Sequence, residues 1–263
     1  MVKPISFAVE QKIMGPVVKV GTGELGGKAR SLPFLDRMLH RSGLADAFAP
    51  HRIYIPETWV LATDCFSEFI HSNNLVQGIE RWNDEEVRQI FLDAPLPHAV
   101  FEVLKRYSMS HSGPLAVRSS ALSEDMRFRT TAGLFSTLFV PNRGPEKLKQ
   151  LVSAVKLVYA SAFSEAVNRY MRHYQIPRED ERMAVALEPV IGNTYEGYHY
   201  PVFAGVAQSH NYFPVGTMQA DDGIATVVMG MGGRVVSGKD GTRFCPTYPG
   251  IRPDSQGRGG GVT

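Results

Sequence analysis

The order of hydrophobic patterns along the chain places the strongest constraint on its fold. Helical periodicity dominates as far as Tyr174, whereas short apolar runs typical of strands dominate after Pro177. A repeating βαβ protein would alternate the two patterns along its whole length. The sequence therefore predicts an α+β fold.

Local patterns predict the individual elements. The most regular helix is expected to start at Glu146 and to continue to Tyr170, because apolar residues recur there three and four positions apart. Another helix is predicted to start near Arg30, which leaves Pro33 in its first turn, and Thr63 and Asp64 are predicted to cap a third. The helix capped by Thr63 and Asp64 is predicted to be Cys65–Ser72. Two further helices are predicted for Asp84–Ala94 and Pro97–Ser108, and strands for Val17–Val20, Trp59–Ala62, Leu115–Val117, Phe135–Val140, Met183–Leu187, Pro201–Ala207, Thr217–Gln219, Ala225–Met229 and Arg234–Val236.

Length, charge and composition restrict the class of protein. The chain has 263 residues, enough for one large domain or two smaller ones, and its formal net charge is only +2. This charge gives no electrostatic reason to expect a nucleic-acid partner. No apolar run approaches the length of a membrane span, and the first residues do not resemble a signal peptide. With two cysteines, too few for a disulfide framework, a cytoplasmic protein is expected.

A glycine-rich segment from Gly21 to Lys28 has the composition of an anion-binding turn. Its glycines, Gly26 and Gly27 among them, allow backbone N–H groups to approach an anion, and Lys28 adds a full positive charge. The spacing is not that of a P-loop, because Ala29 follows the lysine. A surface turn with a solvated lysine is the alternative interpretation.

A second segment places an arginine and two hydroxyls after an apolar strand. Arg118 offers a guanidinium fork for a phosphate, and Ser119 and Ser120 offer short hydroxyl donors. The loop Thr130–Gly133 is predicted to lie over the same place. The alternative is a structural ion pair of Arg118 with Glu124 or Asp125.

These two segments, together with others in the same order, resemble the nucleotide-binding domain of phosphoenolpyruvate synthase and pyruvate phosphate dikinase. The resemblance extends from about Gly21 to Gly238. The matching motifs are GGKARSL (26–32), IPETWVLATDCFSEFI (55–70), LAVRSSALSED (115–125), TTAGLFSTLFV (130–140), LVYASAFSEAVNRY (157–170), ALEPVIGN (186–193), FAGVAQSHN (203–211) and GMGGRVVSG (230–238).

The resemblance implies an ATP-grasp-like fold of two subdomains with mixed or antiparallel sheets and flanking helices. It implies that ATP is the cofactor and that Lys28 and Arg118 bind its phosphates as the principal catalytic groups. Gly26, Gly27, Ser119 and Ser120 belong to the same two motifs. The resemblance also places Gly133 in a loop over the nucleotide, and Glu188 and Val190 on a hinge strand beside the adenine.

The chain departs from the family pattern where Mg²⁺ is expected. Two acidic residues usual in the family correspond to Thr226 and Gly233, so the expected carboxylate ligands are replaced and the metal ligands are unknown. Asp221, Asp222 and Asp240 lie nearby in sequence. The departure leaves two functions open: an active phosphotransferase domain, or a catalytically impaired module that binds nucleotide or a partner for regulation.

The resemblance also suggests how the chain is organised. Residues 1–195 are predicted to form the subdomain with the phosphate-binding lysine and arginine, and residues 196–250 part of the second subdomain. Residues 251–263 are predicted to be a flexible glycine-rich tail at which a longer protein has been cut. The phosphoryl acceptor is expected to be a histidine on a carrier domain outside this chain, with pyruvate and phosphoenolpyruvate bound by another domain.

Overall fold

The structure of the protein is a computed structural model that describes residues 11–76, 79, 82–125, 133–177, 182–233 and 241–251. The chain divides into two compact units, Met1–Val190 and Ile191–Thr263. The sequence placed this boundary five residues later, after residue 195. Nothing in the described part of the chain combines the helix length and the apolarity needed to cross a membrane.

The first unit combines one sheet with a set of helices. Its strands are β1 (Gln11–Met14), β2 (Val17–Val20), β3 (Thr58–Leu61), β4 (Leu115–Ala121), β5 (Thr137–Val140) and β6 (Met183–Pro189). Its helices are α1 (Gly26–Arg30), α2 (Leu32–Arg41), α3 (Thr63–Ser72), α4 (Asp84–Asp93), α5 (His98–Ser110), α6 (Lys147–Ser161) and α7 (Glu165–Tyr174).

The six strands form one mixed sheet in the order β1-β2-β3-β6-β4-β5. Only β2 and β3 pair in parallel, and the other neighbours are antiparallel. A repeating βαβ protein would show a parallel sheet instead. The α+β prediction is therefore confirmed.

The two faces of this sheet pack against different parts of the unit. Val117 and Leu187 face the main core, which the helices cover. Residues on the opposite face, Val60 and Ala184, pack with Ala29 of α1 in a second, smaller cluster. Because side chains alternate along a strand, one face builds the core and the other is left to carry α1 and the polar groups.

The helix predicted from Glu146 to Tyr170 is two helices, so this prediction is wrong. The chain turns after Ser161, and the hydroxyl of Ser164 caps α7 by accepting a hydrogen bond from the backbone N–H of Val167 at 3.3 Å. Phe163 and Val167 are both buried in the core. The apolar spacing therefore continues from α6 into α7 and predicts one helix. Only the Ser164 cap indicates that a second helix begins there.

Two other predictions for the first unit need correction. β4 continues through Arg118, Ser119 and Ser120 instead of ending before them, because its antiparallel partner β6 extends equally far. The N-cap of α3 is Ala62, which is followed by Thr63 and Asp64 as the first helical residues. These two side chains bond instead to the glycine-rich loop, and this removes them from capping.

The second unit contains a hairpin and a small antiparallel sheet. The hairpin pairs β7 (Asn193–Tyr195) with β8 (Tyr198–Tyr200), and the sheet has the order β11-β10-β9 from β9 (Phe203–Gln208), β10 (Ile224–Met229) and β11 (Thr242–Phe244). The strand predicted at Thr217–Gln219 is absent, because the backbone N–H of Gln219 bonds to the Asp222 carboxylate and opens a short 3₁₀ turn. The strand predicted at Arg234–Val236 lies outside the described residues.

An aromatic cluster in the first core carries a testable prediction. Tyr159 is fully buried, its ring lies 5.2 Å from that of Phe66 and 5.6 Å from that of Phe69, and its hydroxyl has no hydrogen-bond partner among the described residues. Burial raises the pKa of this hydroxyl, with smaller contributions from Cys65 and Asp64. Tyr159→Phe is expected to stabilise the fold by about 1 kcal/mol, because it removes an unsatisfied polar atom and keeps the ring.

Chemical denaturation of wild type and variant measures this change. Tyr54→Phe is the matched control, because Tyr54 is exposed in the same unit. It is expected to leave the free energy of unfolding unchanged. A loss of stability in the Tyr159→Phe protein would show that the hydroxyl has a partner after all.

Candidate functional site

The predicted lysine lies on a helical turn that rests against the predicted strand. Lys28 is exposed on α1, and its Nζ donates hydrogen bonds to the backbone oxygen of Ser119 at 3.0 Å and to the Ser119 hydroxyl at 3.3 Å. Ser119 is the chain neighbour of Arg118. The structure thus brings the two motifs together, although 91 positions separate Lys28 from Ser119 along the chain.

A close backbone approach holds this turn in place. Gly26 has a positive φ of 68°, and a Cβ at this position would overlap the backbone carbonyl of Ser120. The hydroxyl of Ser120 donates to the backbone oxygen of Leu25 at 2.8 Å and accepts from the backbone N–H of Ala29 at 3.1 Å. Ser120 is therefore a support for α1, with its hydroxyl engaged by the backbone.

Arg118 forms an ion pair that neither sequence interpretation included. Its Nη1 lies 3.0 Å from Oε2 of Glu188, with 41% of the arginine side chain and 14% of the glutamate side chain exposed. The register pairs Arg118 with Ala186 and Ala116 with Glu188, so the two charged residues are diagonal neighbours on one sheet face. The partners expected in the alternative, Glu124 and Asp125, have side chains outside the described part of the structure.

The glycine-rich loop is hydrogen-bonded to a carboxylate of the same chain. The carboxylate of Asp64 accepts hydrogen bonds from the backbone N–H of Thr22 at 2.6 Å and from its hydroxyl at 2.8 Å. The hydroxyl of Thr63 accepts from the backbone N–H of Glu24 at 2.9 Å. Backbone N–H groups that the sequence assigned to a bound anion are in part occupied by Asp64.

These contacts change the acidity of Asp64. Burial alone would raise the pKa of its carboxyl, but hydrogen bonds from the backbone and side chain of Thr22 and from the backbone of Gly23 lower it by more. The net result is a pKa below the ordinary value of 3.8. Asp64 therefore binds the loop as a carboxylate at neutral pH.

The other predicted site residues are Gly27, Gly133 and Val190, of which Gly27 adjoins Lys28 on α1. Gly27 is half-buried in α1, and Gly133 is exposed with a positive φ of 78°. The rest of its predicted loop, residues 130–132, lies outside the described residues. The backbone N–H of Val190 donates to the oxygen of Pro114 at 2.9 Å, immediately after β6.

The residues at the family's acidic positions do not fit Mg²⁺. Thr226 is half-buried in β10 and offers a neutral hydroxyl, and Gly233 has no side chain. The carboxylate of Asp222 accepts from the backbone of Gln219, and Asp240 lies outside the described residues. Within the described ranges, no three His, Cys, Asp or Glu side chains are grouped as a metal ion requires.

The sequence did not reveal how two carboxylates organise the site: Asp64 was predicted to cap a helix but binds the glycine-rich loop, and Glu188 was predicted beside the adenine but pairs with Arg118. Asp64 lies in the first turn of α3, three residues after the end of β3, a position from which a short polar side chain can bond to a neighbouring loop. No local signal joins Glu188 to Arg118, because the pair depends on the register of two strands 70 positions apart.

The structure is thus an α+β domain in which a lysine of α1 contacts the strand that carries Arg118. Residues 22–249 match the family described as pyruvate phosphate dikinase, AMP/ATP-binding domain, and the chain belongs to this family. The resemblance found in the sequence is thereby confirmed.

Two curated proteins are similar to parts of the chain. The phosphoenolpyruvate synthase of Deinococcus radiodurans is 25% identical over 165 residues, which are 57% of this chain and 20% of that protein. The uncharacterized phosphotransferase YvkC of Bacillus subtilis is 26% identical over 191 residues, which are 72% of this chain and 21% of that protein. The chain thus spans about a fifth of the length of these relatives.

Proposed function

We propose that the chain is the ATP-binding domain of a phosphotransferase and that Lys28 and Arg118 bind the phosphates of ATP. The observation that carries the proposal is the contact between Lys28 and Ser119, which brings a lysine next to the arginine-bearing part of β4. Membership of an AMP/ATP-binding family supports the choice of ligand.

The two cations would act differently on a phosphate. Arg118 has a planar fork of five N–H donors, suited to two oxygens of one phosphate group, whereas Lys28 is a compact charge on a flexible stem. Phosphoryl transfer depends mainly on positioning and on compensation of negative charge, and both groups supply these. In this proposal Gly26, Ser119 and Ser120 hold the cations in place.

The other predicted site residues complete the proposal. Gly27 would offer its backbone to a phosphate, Gly133 would lie over the nucleotide, and the backbone at Glu188 and Val190 would lie beside the adenine in an ATP-grasp-like arrangement. The unit that carries Lys28 and Arg118 is proposed to be the first ATP-grasp-like subdomain, and residues 196–250 part of the second.

We further propose that the phosphoryl group passes to a histidine outside this chain. The names of the two relatives, a phosphoenolpyruvate synthase and a phosphotransferase, support this reaction class, and their greater length leaves room for a carrier domain and a pyruvate or phosphoenolpyruvate domain. The replacement of family carboxylates by Thr226 and Gly233 favours a second candidate function, a nucleotide-binding regulatory module without phosphoryl transfer.

Calorimetric titration with ATP tests the proposal. Lys28→Ala and Arg118→Ala are each expected to weaken binding by about 1.5–3 kcal/mol, the value of a charge-assisted hydrogen bond, or roughly 10- to 150-fold in Kd. Arg118→Lys should lose less, because it keeps the charge and loses only the fork. Lys149→Ala, at an exposed ion pair with Glu146, is the matched control and should bind like wild type.

The titration also separates the two functions. Binding that Mg²⁺ strengthens supports the phosphotransferase, whereas binding that ignores Mg²⁺ but needs Lys28 and Arg118 supports the regulatory module. If both alanine variants bind ATP as tightly as the control, the assignment of these residues is wrong. Thermal unfolding of each variant confirms that a loss of binding is not a loss of fold.

A further inference from the structure

The ion pair of Arg118 and Glu188 links an arginine proposed to bind phosphate to a glutamate that is less exposed than the arginine. The two side chains meet at 3.0 Å, and the glutamate is 14% exposed against 41% for the arginine. Nη1 of the guanidinium donates to the glutamate, and 41% of the arginine side chain is still exposed to solvent. A guanidinium has enough donors to bind a carboxylate and a phosphate together.

The register of the sheet fixes this arrangement. β4 and β6 are paired over seven consecutive positions from Leu115 to Ala121, and this places Glu188 diagonally beside Arg118. The carboxylate therefore comes from a paired strand and not from a flexible loop. Such a partner restricts the rotamers of a long arginine side chain and orients the face that remains exposed.

The same carboxylate carries a negative charge near any bound phosphate. This charge also acts on the Tyr107 hydroxyl. Burial is the main reason that the pKa of this hydroxyl is raised, and the charges of Glu188 and Glu57 raise it further. Like charges repel across a partly desolvated surface more strongly than they do in water. Glu188 thus orients the arginine and also opposes the anion that the arginine binds.

We infer that Glu188 is a positioning residue that holds the Arg118 guanidinium ready for a polyphosphate while limiting how tightly the polyphosphate binds. This inference rests on the proposed function and names the regulation of its site. A glutamine at position 188 has the same shape and keeps an acceptor oxygen, but it lacks the charge. An alanine has neither the acceptor nor the charge.

Calorimetry with inorganic tripolyphosphate and, separately, with ATP tests the inference. Glu188→Gln is expected to tighten tripolyphosphate binding by about five- to tenfold, because a nearby like charge is removed. Glu188→Ala should bind at least about threefold less tightly than Glu188→Gln, because the guanidinium loses its anchor. Glu165→Gln, at an exposed pair with Arg169 of 2.9 Å, is the control for a change of net charge and should bind like wild type.

A double variant identifies the route of the effect. In the Arg118→Ala background, Glu188→Gln should give much less tightening than in wild type, because contacting residues are energetically coupled. An equal gain in both backgrounds, equal binding by the glutamine and alanine variants, or no tightening in Glu188→Gln would each overturn the inference.

The two ligands distinguish this failure from that of the proposed function. If wild type binds ATP and Glu188→Gln binds tripolyphosphate no more tightly, only the inference fails. If Glu188→Gln gains tripolyphosphate binding as expected and no protein binds ATP, the proposed function fails and the inference stands. If none of the proteins binds either ligand, both are wrong.

Discussion

Gly26→Ala is expected to lower the free energy of unfolding by about 3–4 kcal/mol, which combines a strained backbone with an overpacked contact. Position 26 has a φ of +68°, where a side chain is unfavourable, and the added Cβ would overlap the carbonyl of Ser120. Backbone cannot move aside as a flexible side chain can. The first turn of α1 would therefore separate from β4, and Lys28 would lose its contact with Ser119.

Chemical denaturation and ATP calorimetry on the same variant measure the two consequences. Gly43→Ala is the matched control, because Gly43 has a φ of +73° with no atom within 4 Å of the added Cβ. The control should cost only about 1–2 kcal/mol, the strain of the backbone alone, and should bind ATP like wild type. Equal costs in the two variants would contradict the close contact of α1 with β4.

Asp64→Asn is expected to destabilise the protein by about 2–3 kcal/mol at pH 7, because it replaces a charged acceptor of several hydrogen bonds by a neutral one. The carboxylate now accepts two bonds from Thr22, at 2.6 and 2.8 Å. The amide keeps one acceptor oxygen, but its NH₂ group then faces donors. Urea denaturation of wild type and variant gives the difference directly.

The difference between wild type and Asp64→Asn should depend on pH in a defined direction. The folded pKa of Asp64 is lowered below the ordinary 3.8, so the unfolded chain takes up the proton first as the pH falls. The carboxylate therefore contributes its full stability above pH 3.8 and loses it as the pH falls through the folded pKa. The stability gap should be constant near neutrality and should narrow in acid.

A surface aspartate provides the control for the acid titration. Asp46 is highly exposed and lies 3.6 Å from Arg52, so Asp46→Asn should change stability by no more than about 0.5 kcal/mol at any pH. A gap for Asp64→Asn that widens in acid, or one no larger than that of Asp46→Asn at pH 7, would show that the loop does not depend on this carboxylate.

Local patterns in the sequence predicted most elements of the first unit. Val17–Val20 is a strand as predicted, and the helix expected at Asp84–Ala94 differs by one residue at its end. Both contain the apolar spacing that burial imposes on a regular element. The break between α6 and α7 was missed, since the buried positions keep the same spacing on both sides of it and only the Ser164 cap marks the interruption.

The contacts of the candidate site depended on information that local patterns do not contain. The sequence predicted that Lys28 and Arg118 act together, and the structure brings their motifs into contact through Ser119. The partners Asp64 and Glu188 stand 42 and 70 positions from the groups they bind. Such pairs follow from strand order and register, which the sequence of one chain does not reveal.

The closure of the glycine-rich loop on Asp64 has a consequence for the energetics of ligand capture. A loop already folded around a carboxylate of the same protein loses little conformational entropy when a ligand arrives, so this part of the surface is preorganised. The N–H groups of Thr22 and Glu24 are also committed in advance, so fewer backbone donors remain for an anion and the side chains of Lys28 and Arg118 carry more of its recognition. Discrimination between ligands would then depend on charge spacing more than on the remodelling of a loop.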